Sequence, residues 1–228
     1  MKENILGLIK PADIITLVNA LLGFASIIMI IDERIETALV LVLIAVIADG
    51  ADGALARYSG YGILGENLDS LSDVISFGVA PASAAFVSLD NMGYFAGVFA
   101  GLFLVCGVLR LARFNVAGKK EGFEGIPITA GGFIVALFLL MKDYVPYSEH
   151  LFVFLLIILS LLMVSTVDYP KLKSPVLIGP LALLTVFDIA FFYMGYSDAV
   201  KAASLLLFIL IFSYVLSPMG RRYYDRNQ

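Results

Sequence analysis

The stretch Asp49-Gly50-Ala51-Asp52-Gly53-Ala54-Leu55-Ala56-Arg57 opens a pattern that Gly65-Glu66-Asn67-Leu68-Asp69-Ser70-Leu71-Ser72-Asp73 completes after a short break rich in glycine and tyrosine. It sets four aspartates in otherwise apolar surroundings. On a helix, Asp49, Asp52, Gly53, Ala56 and Arg57 fall at i, i+3, i+4, i+7 and i+8, which is one face. Asp69 and Asp73 are four apart and share a face of the following helix. Carboxylates at membrane depth are costly unless compensated, and they mark functional sites by default. Arg57 alone cannot neutralise four of them. Hard divalent cations can, because oxygen-only ligand sets suit magnesium, manganese or calcium. The competing reading, helix-end carboxylates that merely face water, leaves the shared faces and the interleaved glycines without a reason.

Outward from this stretch, the chain of 228 residues is 61% hydrophobic and only 15% charged, which excludes an ordinary soluble domain. A membrane-crossing helix needs about 20 apolar residues. Eight candidate spans are legible, at 13–31, 36–57, 68–89, 92–113, 127–146, 149–167, 175–195 and 198–216. Gly131-Gly132 and Pro146 weaken the ends of the fifth. The connections are too short for a separate folded unit, so 1–228 reads as one all-α, polytopic integral membrane helical bundle. With both termini in the cytoplasm, 12 of the 15 lysines and arginines fall inside, and only Arg34, Lys142 and Lys201 outside, as the positive-inside rule requires. The inner set includes Lys2, Lys10, Lys119, Lys120, Lys171, Lys173, Arg221, Arg222 and Arg226. The second span then ends, and the third begins, at the cytoplasmic surface, and the four acids converge just beneath it. The net charge of −4 carries little information, since four acids are assigned to metal. Cys106 is the single cysteine, which excludes an internal disulfide; it reads as a small apolar helix residue. No cleavable signal is expected, because Pro11 and Asp13 interrupt the approach to the first apolar run. Residues 1–10 read either as a short surface helix with Ile5, Leu6, Leu8 and Ile9 as its apolar side, or as a polar leader.

The pattern Asp49-x-x-Asp52-Gly53-x-x-Ala56-Arg57, seven residues, Gly65-x-x-x-Asp69-x-x-x-Asp73 resembles the signature of the CDP-alcohol phosphotransferases, with every fixed position filled. The resemblance implies that Asp49, Asp52 and Asp69 bind metal. It implies that Asp73 is the general base for the acceptor hydroxyl and also touches the second metal. Two cations, magnesium or manganese, would clamp the attacking and leaving oxygens of an in-line displacement. The CDP moiety would lie against Gly53 and Arg57, with Asp52 and Gly65 beside it. Gly53 leaves room against the helix, and Gly65 frees the backbone where the chain re-enters a helix. Gly53 and Ala56 also fit plain helix–helix packing. In such proteins the first helix lines the nucleotide pocket, which makes Asn19 a CDP contact; an interhelical hydrogen bond is its other reading. A homodimer is expected from the resemblance alone.

Directly after the signature, Ser76-Phe77-Gly78-Val79-Ala80-Pro81-Ala82 is similar to the phosphatidylserine synthase branch of that family, as are Leu109-Arg110-Leu111-Ala112-Arg113-Phe114-Asn115 and Gly125-Ile126-Pro127. This resemblance implies transfer of a phosphatidyl-type group from a CDP-lipid, CDP-diacylglycerol or CDP-archaeol, to L-serine with release of CMP. Arg110 and Arg113 lie on one face at the inner end of a helix and suit a carboxylate or a lipid phosphate. They equally satisfy the positive-inside rule and the helix dipole. Glycerol 3-phosphate or inositol phosphate are the alternative acceptors, and a divalent-cation transporter is the reading from another class. Membrane lipids are the expected partners and nucleic acid is not. Asn115, Lys119 and Lys120 form a polar loop, and Lys171 and Lys173 face anionic headgroups. Pro81 is expected to kink the third helix. Asp188 stands inside the seventh span without an assigned role, and His150 is expected at the outer interface.

Overall fold

The computed structural model describes residues 4–59, 62–117, 123–169 and 175–225. Apolar runs broken by short polar or glycine-bearing turns fold here as helices: α1 (Pro11–Ile31), α2 (Ile35–Ser59), α3 (Gly65–Asp73), α4 (Ala80–Ser88), α5 (Tyr94–Ala117), α6 (Ile128–Leu140), α7 (Ser148–Val164), α8 (Pro175–Tyr193) and α9 (Ser197–Asp225). A π turn, Val74–Val79, joins α3 to α4, so the two form one continuous helical rod over Gly65–Ser88. The eight expected spans therefore appear in order. Five of them, Pro11–Ile31, Ile35–Tyr58, Gly65–Ser88, Tyr94–Val116 and Ser197–Pro218, are long and apolar enough to cross a bilayer, and the protein is an integral membrane helical bundle.

The other three are shorter, and α6 departs most from its expected span of 127–146. It stops at Leu140 and gives way to a 3₁₀ turn at Lys142–Tyr144. At about 1.5 Å per residue its 13 residues reach roughly 20 Å, less than the hydrocarbon thickness. Its position explains its composition: Ile128 and every residue from 131 to 141 are buried. A helix apolar all round belongs at the centre of the bundle. Here α2, α9 and the π turn surround it, and Phe138 stacks on Phe152 of α7 at 5.1 Å and meets Phe208 of α9 edge-on at 5.9 Å. Pro218 is carried within α9, which runs on to Asp225 beyond the expected end at 216.

Two close approaches seat the π turn. A Cβ at Gly23 of α1 would stand 2.5 Å from the Ser76 Oγ and 2.6 Å from its Cα, and one at Gly132 of α6 would stand 2.8 Å from the Phe77 carbonyl oxygen. The turn is thus held between two glycine faces. It also resolves the expected kink: the Ala80 N–H donates to the Ile75 carbonyl, five residues back, and the wider turn accommodates Pro81, which has no N–H of its own.

A two-stranded antiparallel ribbon pairs β1 (Phe123–Glu124) with β2 (Asp168–Tyr169) near the C-terminal ends of α5 and α7. At the opposite end, Lys201 of α9 bonds Asp143 at 2.8 Å and holds its carboxyl below the ordinary carboxylate range. Residues 5–8 form one 3₁₀ turn rather than a surface helix, with Ile5 exposed. Lys2, Lys119, Lys120, Lys171, Lys173 and Arg226 lie outside the described residues, as do the side chains of Arg221 and Arg222. His150 and Asn115 are exposed, while Cys106 is buried and free.

Candidate active site

The site is assembled from the last turns of α2, the first turns of α3 and the start of α1. Helices α1 and α3 run in parallel, because successive hydroxyls of one bond successive carbonyls of the other. Ser72 donates to the Thr16 carbonyl at 2.9 Å and Ser76 to the Asn19 carbonyl at 2.7 Å. This fixes the rotation of α3 and turns Asp69 and Asp73 toward α2. Carboxylate oxygens of Asp49, Asp69 and Asp73 then lie within 4.8 Å of one another. Asp52 is buried beside them, within electrostatic reach of all three, and accepts a hydrogen bond from the Thr16 hydroxyl at 2.7 Å. The four aspartates singled out in the sequence are therefore brought together.

The donor set fits a hard divalent cation. Three carboxylates from two helices offer oxygen at a spacing that one ion can bridge, and the Asp73 Oδ1 is buried with no hydrogen-bond partner. A buried carboxylate oxygen left unpaired carries a large desolvation cost, which a bound cation would offset.

A cleft opens beside the acids, lined by Asp13, Thr16, Asp52, Gly53, Ala56 and Asp69 among others, with empty space of about 470 Å³ including its mouth. Gly53 faces open space: a Cβ there would meet only the Arg57 Nη1, at 3.8 Å. Gly65 lines the same cleft, where a Cβ would stand 3.2 Å from the Asp13 Oδ1. Arg57 is exposed. Of the residues expected around a nucleotide, Asp52, Gly53 and Gly65 thus border one cleft, and the Arg57 side chain stands beside Gly53. Asn19 does not: it is fully buried beneath the π turn, and its amide has no hydrogen-bond partner.

The two arginines of α5 part company. Arg110 is buried within electrostatic reach of Asp69 and Asp73, with its guanidinium 5.4 Å from the centre of the Phe114 ring. Arg113 instead donates to the carbonyls of Glu124 at 2.6 Å, Met163 at 3.2 Å and Val164 at 3.2 Å. Its expected place on an acceptor or lipid phosphate gives way to a clamp between α5, the end of α7 and the ribbon. The reason is local: the terminal carbonyls of α7 lack helical partners and accept the fork.

Asp13 and Thr129 escaped the sequence reading. Asp13 caps the first turn of α1 by accepting from the Lys10 N–H at 2.8 Å, and Thr129 of α6 lies beside Asp49. An acid three residues inside a helix start was the available signal for Asp13. Thr129 lies 80 positions from its partner and gave none.

Comparison with known proteins agrees with this geometry. The family model described as CDP-alcohol phosphatidyltransferase matches residues 10–167. The chain belongs to that family. Among its relatives, an archaetidylserine synthase from Methanothermobacter thermautotrophicus is 38% identical over 177 residues, 75% of this chain and 74% of the relative. A CDP-diacylglycerol–serine O-phosphatidyltransferase from Methanocaldococcus jannaschii is 35% identical over 77% of this chain and 81% of its own. One of the same name from Helicobacter pylori is 35% identical over 71% and 72%. The CDP-alcohol phosphatidyltransferase segment ends before α8, so α8 and α9 lie beyond it.

Proposed function

We propose that this CDP-alcohol phosphatidyltransferase moves a phosphatidyl-type group from a CDP-lipid to L-serine and releases CMP. The observation that carries the reading is the signature folded into one carboxylate cluster beside an open, glycine-floored cleft. Its similarity to relatives named for serine selects the acceptor. CDP-diacylglycerol and CDP-archaeol are the two donors those names suggest.

In this reading the cytidine diphosphate lies along Gly53, with Arg57 at its rim and Asp52 beneath. Two divalent cations, magnesium or manganese, held by Asp49, Asp52, Asp69 and Asp73, supply neutralisation of the diphosphate oxygens when bound. Asp73 accepts the proton of the serine hydroxyl as that oxygen forms its bond to the lipid-side phosphorus. The bond from that phosphorus to the bridging oxygen breaks, and the electron pair leaves with CMP. Arg110, a buried fork next to Asp69 and Asp73, pairs with the serine carboxylate. The cleft faces the cytoplasm, where serine and CMP are soluble, and the protein works as a homodimer.

The test is CMP release by purified protein given CDP-diacylglycerol or CDP-archaeol with serine, glycerol 3-phosphate or inositol phosphate in turn, with magnesium or manganese. Release with serine is expected. Release only with another acceptor would keep the chemistry and reject serine.

A further inference from the structure

Asp13 is an acid of the cleft that stands apart from the four signature aspartates. It is 2% exposed and lines the cleft together with Gly53 and Ala56. Its Oδ2 accepts from the Lys10 N–H at 2.8 Å, which fixes the plane of the carboxyl group. Two glycines close around it. A Cβ at Gly62 would stand 2.8 Å from Oδ2, and one at Gly65 would stand 3.2 Å from Oδ1. The Gly65 N–H donates to the Gly62 carbonyl at 3.2 Å, so one short turn supplies both. Capping alone does not account for this enclosure, because a cap works equally well in water and burying a carboxyl group is costly.

The register of the helices says what the carboxyl group faces. Helices α1 and α2 run antiparallel, since Thr16 bonds Asp52 and Ser26 bonds the Ala38 carbonyl. Asp13 precedes Thr16 by three residues, so it stands level with Ala56, one turn beyond Asp52 and two beyond Asp49. On α3 its neighbour is Gly65, one turn before Asp69. Along both helices, then, Asp13 lies farther out than the acids that gather around the diphosphate. A nucleotide whose diphosphate is held at those acids extends its nucleoside along Gly53 and Ala56 to that level.

We propose that Asp13 is the specificity-determining residue for the base, accepting a hydrogen bond from the exocyclic amino group of cytosine. The inference rests on reading the cleft as the seat of the CDP moiety. A carboxylate only accepts, and the amino group of cytosine only donates, which is the pairing that distinguishes cytosine at this edge. Uracil carries a carbonyl oxygen at the same ring position and would set acceptor against acceptor. Ribose hydroxyls both donate and accept, so they would gain no selectivity from an anion.

The experiment measures binding of CDP, UDP and 2′-deoxyCDP to the detergent-purified protein with Mg²⁺ by isothermal titration calorimetry. The parent should prefer CDP to UDP by about 10- to 100-fold, the scale on which one base edge discriminates. Asp13→Asn keeps the size and a cap acceptor but turns either a donor or an acceptor to the base, so the preference should fall below about threefold. Asp13→Ser, which also caps a helix, carries the same expectation if Asp13→Asn does not fold. Glu66→Gln, at an exposed acid bordering the same cleft, should keep the parental preference. The ratio of CDP to 2′-deoxyCDP affinity should be the same in parent and variants. A purely structural Asp13 would weaken CDP and UDP alike at a constant ratio, which overturns the proposal. Loss of the CDP to 2′-deoxyCDP ratio instead would move the contact to the ribose and overturn it as well. A parent that binds neither CDP nor UDP would overturn the nucleotide reading of the cleft, and the proposal with it.

Discussion

Three residues apart on α5, Arg110 lies within reach of Asp69 and Asp73, while Arg113 directs three donors to the carbonyls of Glu124, Met163 and Val164. Their substitutions should separate accordingly. Arg110→Ala should raise the serine KM. Arg113→Ala should leave it nearly unchanged and lower stability by about 2 kcal/mol, the scale of a hydrogen bond to a charged group, measured by thermal unfolding in detergent. Asp73→Asn should cut kcat by roughly 10²- to 10⁴-fold while CDP-lipid binding persists, as expected on losing a general base; near-normal turnover would remove Asp73 from that role. The four aspartates were legible because acids in apolar sequence are rare and their spacing repeats a helical face. Asn19 lies outside the cleft lining, and a polar residue near a helix start gives no sign in the sequence of whether it faces a cleft or a neighbouring helix. The two uses of Arg110 and Arg113 were not legible either. Side chains three apart diverge by about 60° around a helix, enough here to face different neighbours.

Among the elements, the rod Gly65–Ser88 carries the most consequence, because its π turn sits directly after Asp73. Gly23→Ala would place a methyl 2.5 Å from the Ser76 Oγ, forcing the rod off α1. An overpacked contact of this kind typically costs about 1–3 kcal/mol, and activity should fall with stability. Gly53→Ala meets only the Arg57 side chain at 3.8 Å, so it should leave the melting temperature unchanged and raise the KM for CDP-lipid. Comparing the two variants in unfolding and turnover assays separates packing glycines from ligand-facing ones. Pro81 announced an irregularity in the sequence, because proline removes a helical donor. The form it takes was not announced, since a single wide turn leaves no periodic trace in hydropathy. The ribbon of β1 and β2 was hidden for a related reason: two-residue strands are below the length at which alternation can be read.

At the scale of the whole molecule, the order of eight apolar segments was legible from hydropathy alone, but the length of α6 was not. Burial by protein and burial by lipid select the same side chains, so a central helix and a spanning one read alike. Sidedness is open to direct measurement: with Cys106 replaced by alanine, cysteine at Asp90 should react with an impermeant maleimide on intact cells, and cysteine at Asn67 only after permeabilisation. The bond between Asp143 and Lys201 ties the loop after α6 to α9. Because the folded Asp143 carboxyl titrates below its unfolded range, its contribution is present above the unfolded pKa and is lost as pH falls through the folded one. Asp143→Asn should therefore flatten the acid side of the stability profile only slightly, since solvent screens an exposed pair. The enclosure of α6 reaches further than packing. A segment whose neighbours are all protein has no bilayer thickness to match, so thinning or thickening of the surrounding lipid strains the outer helices through tilt and spares the one that abuts the acids. Turnover reconstituted in short- and long-chain lipids should accordingly vary less than the tilt of α5.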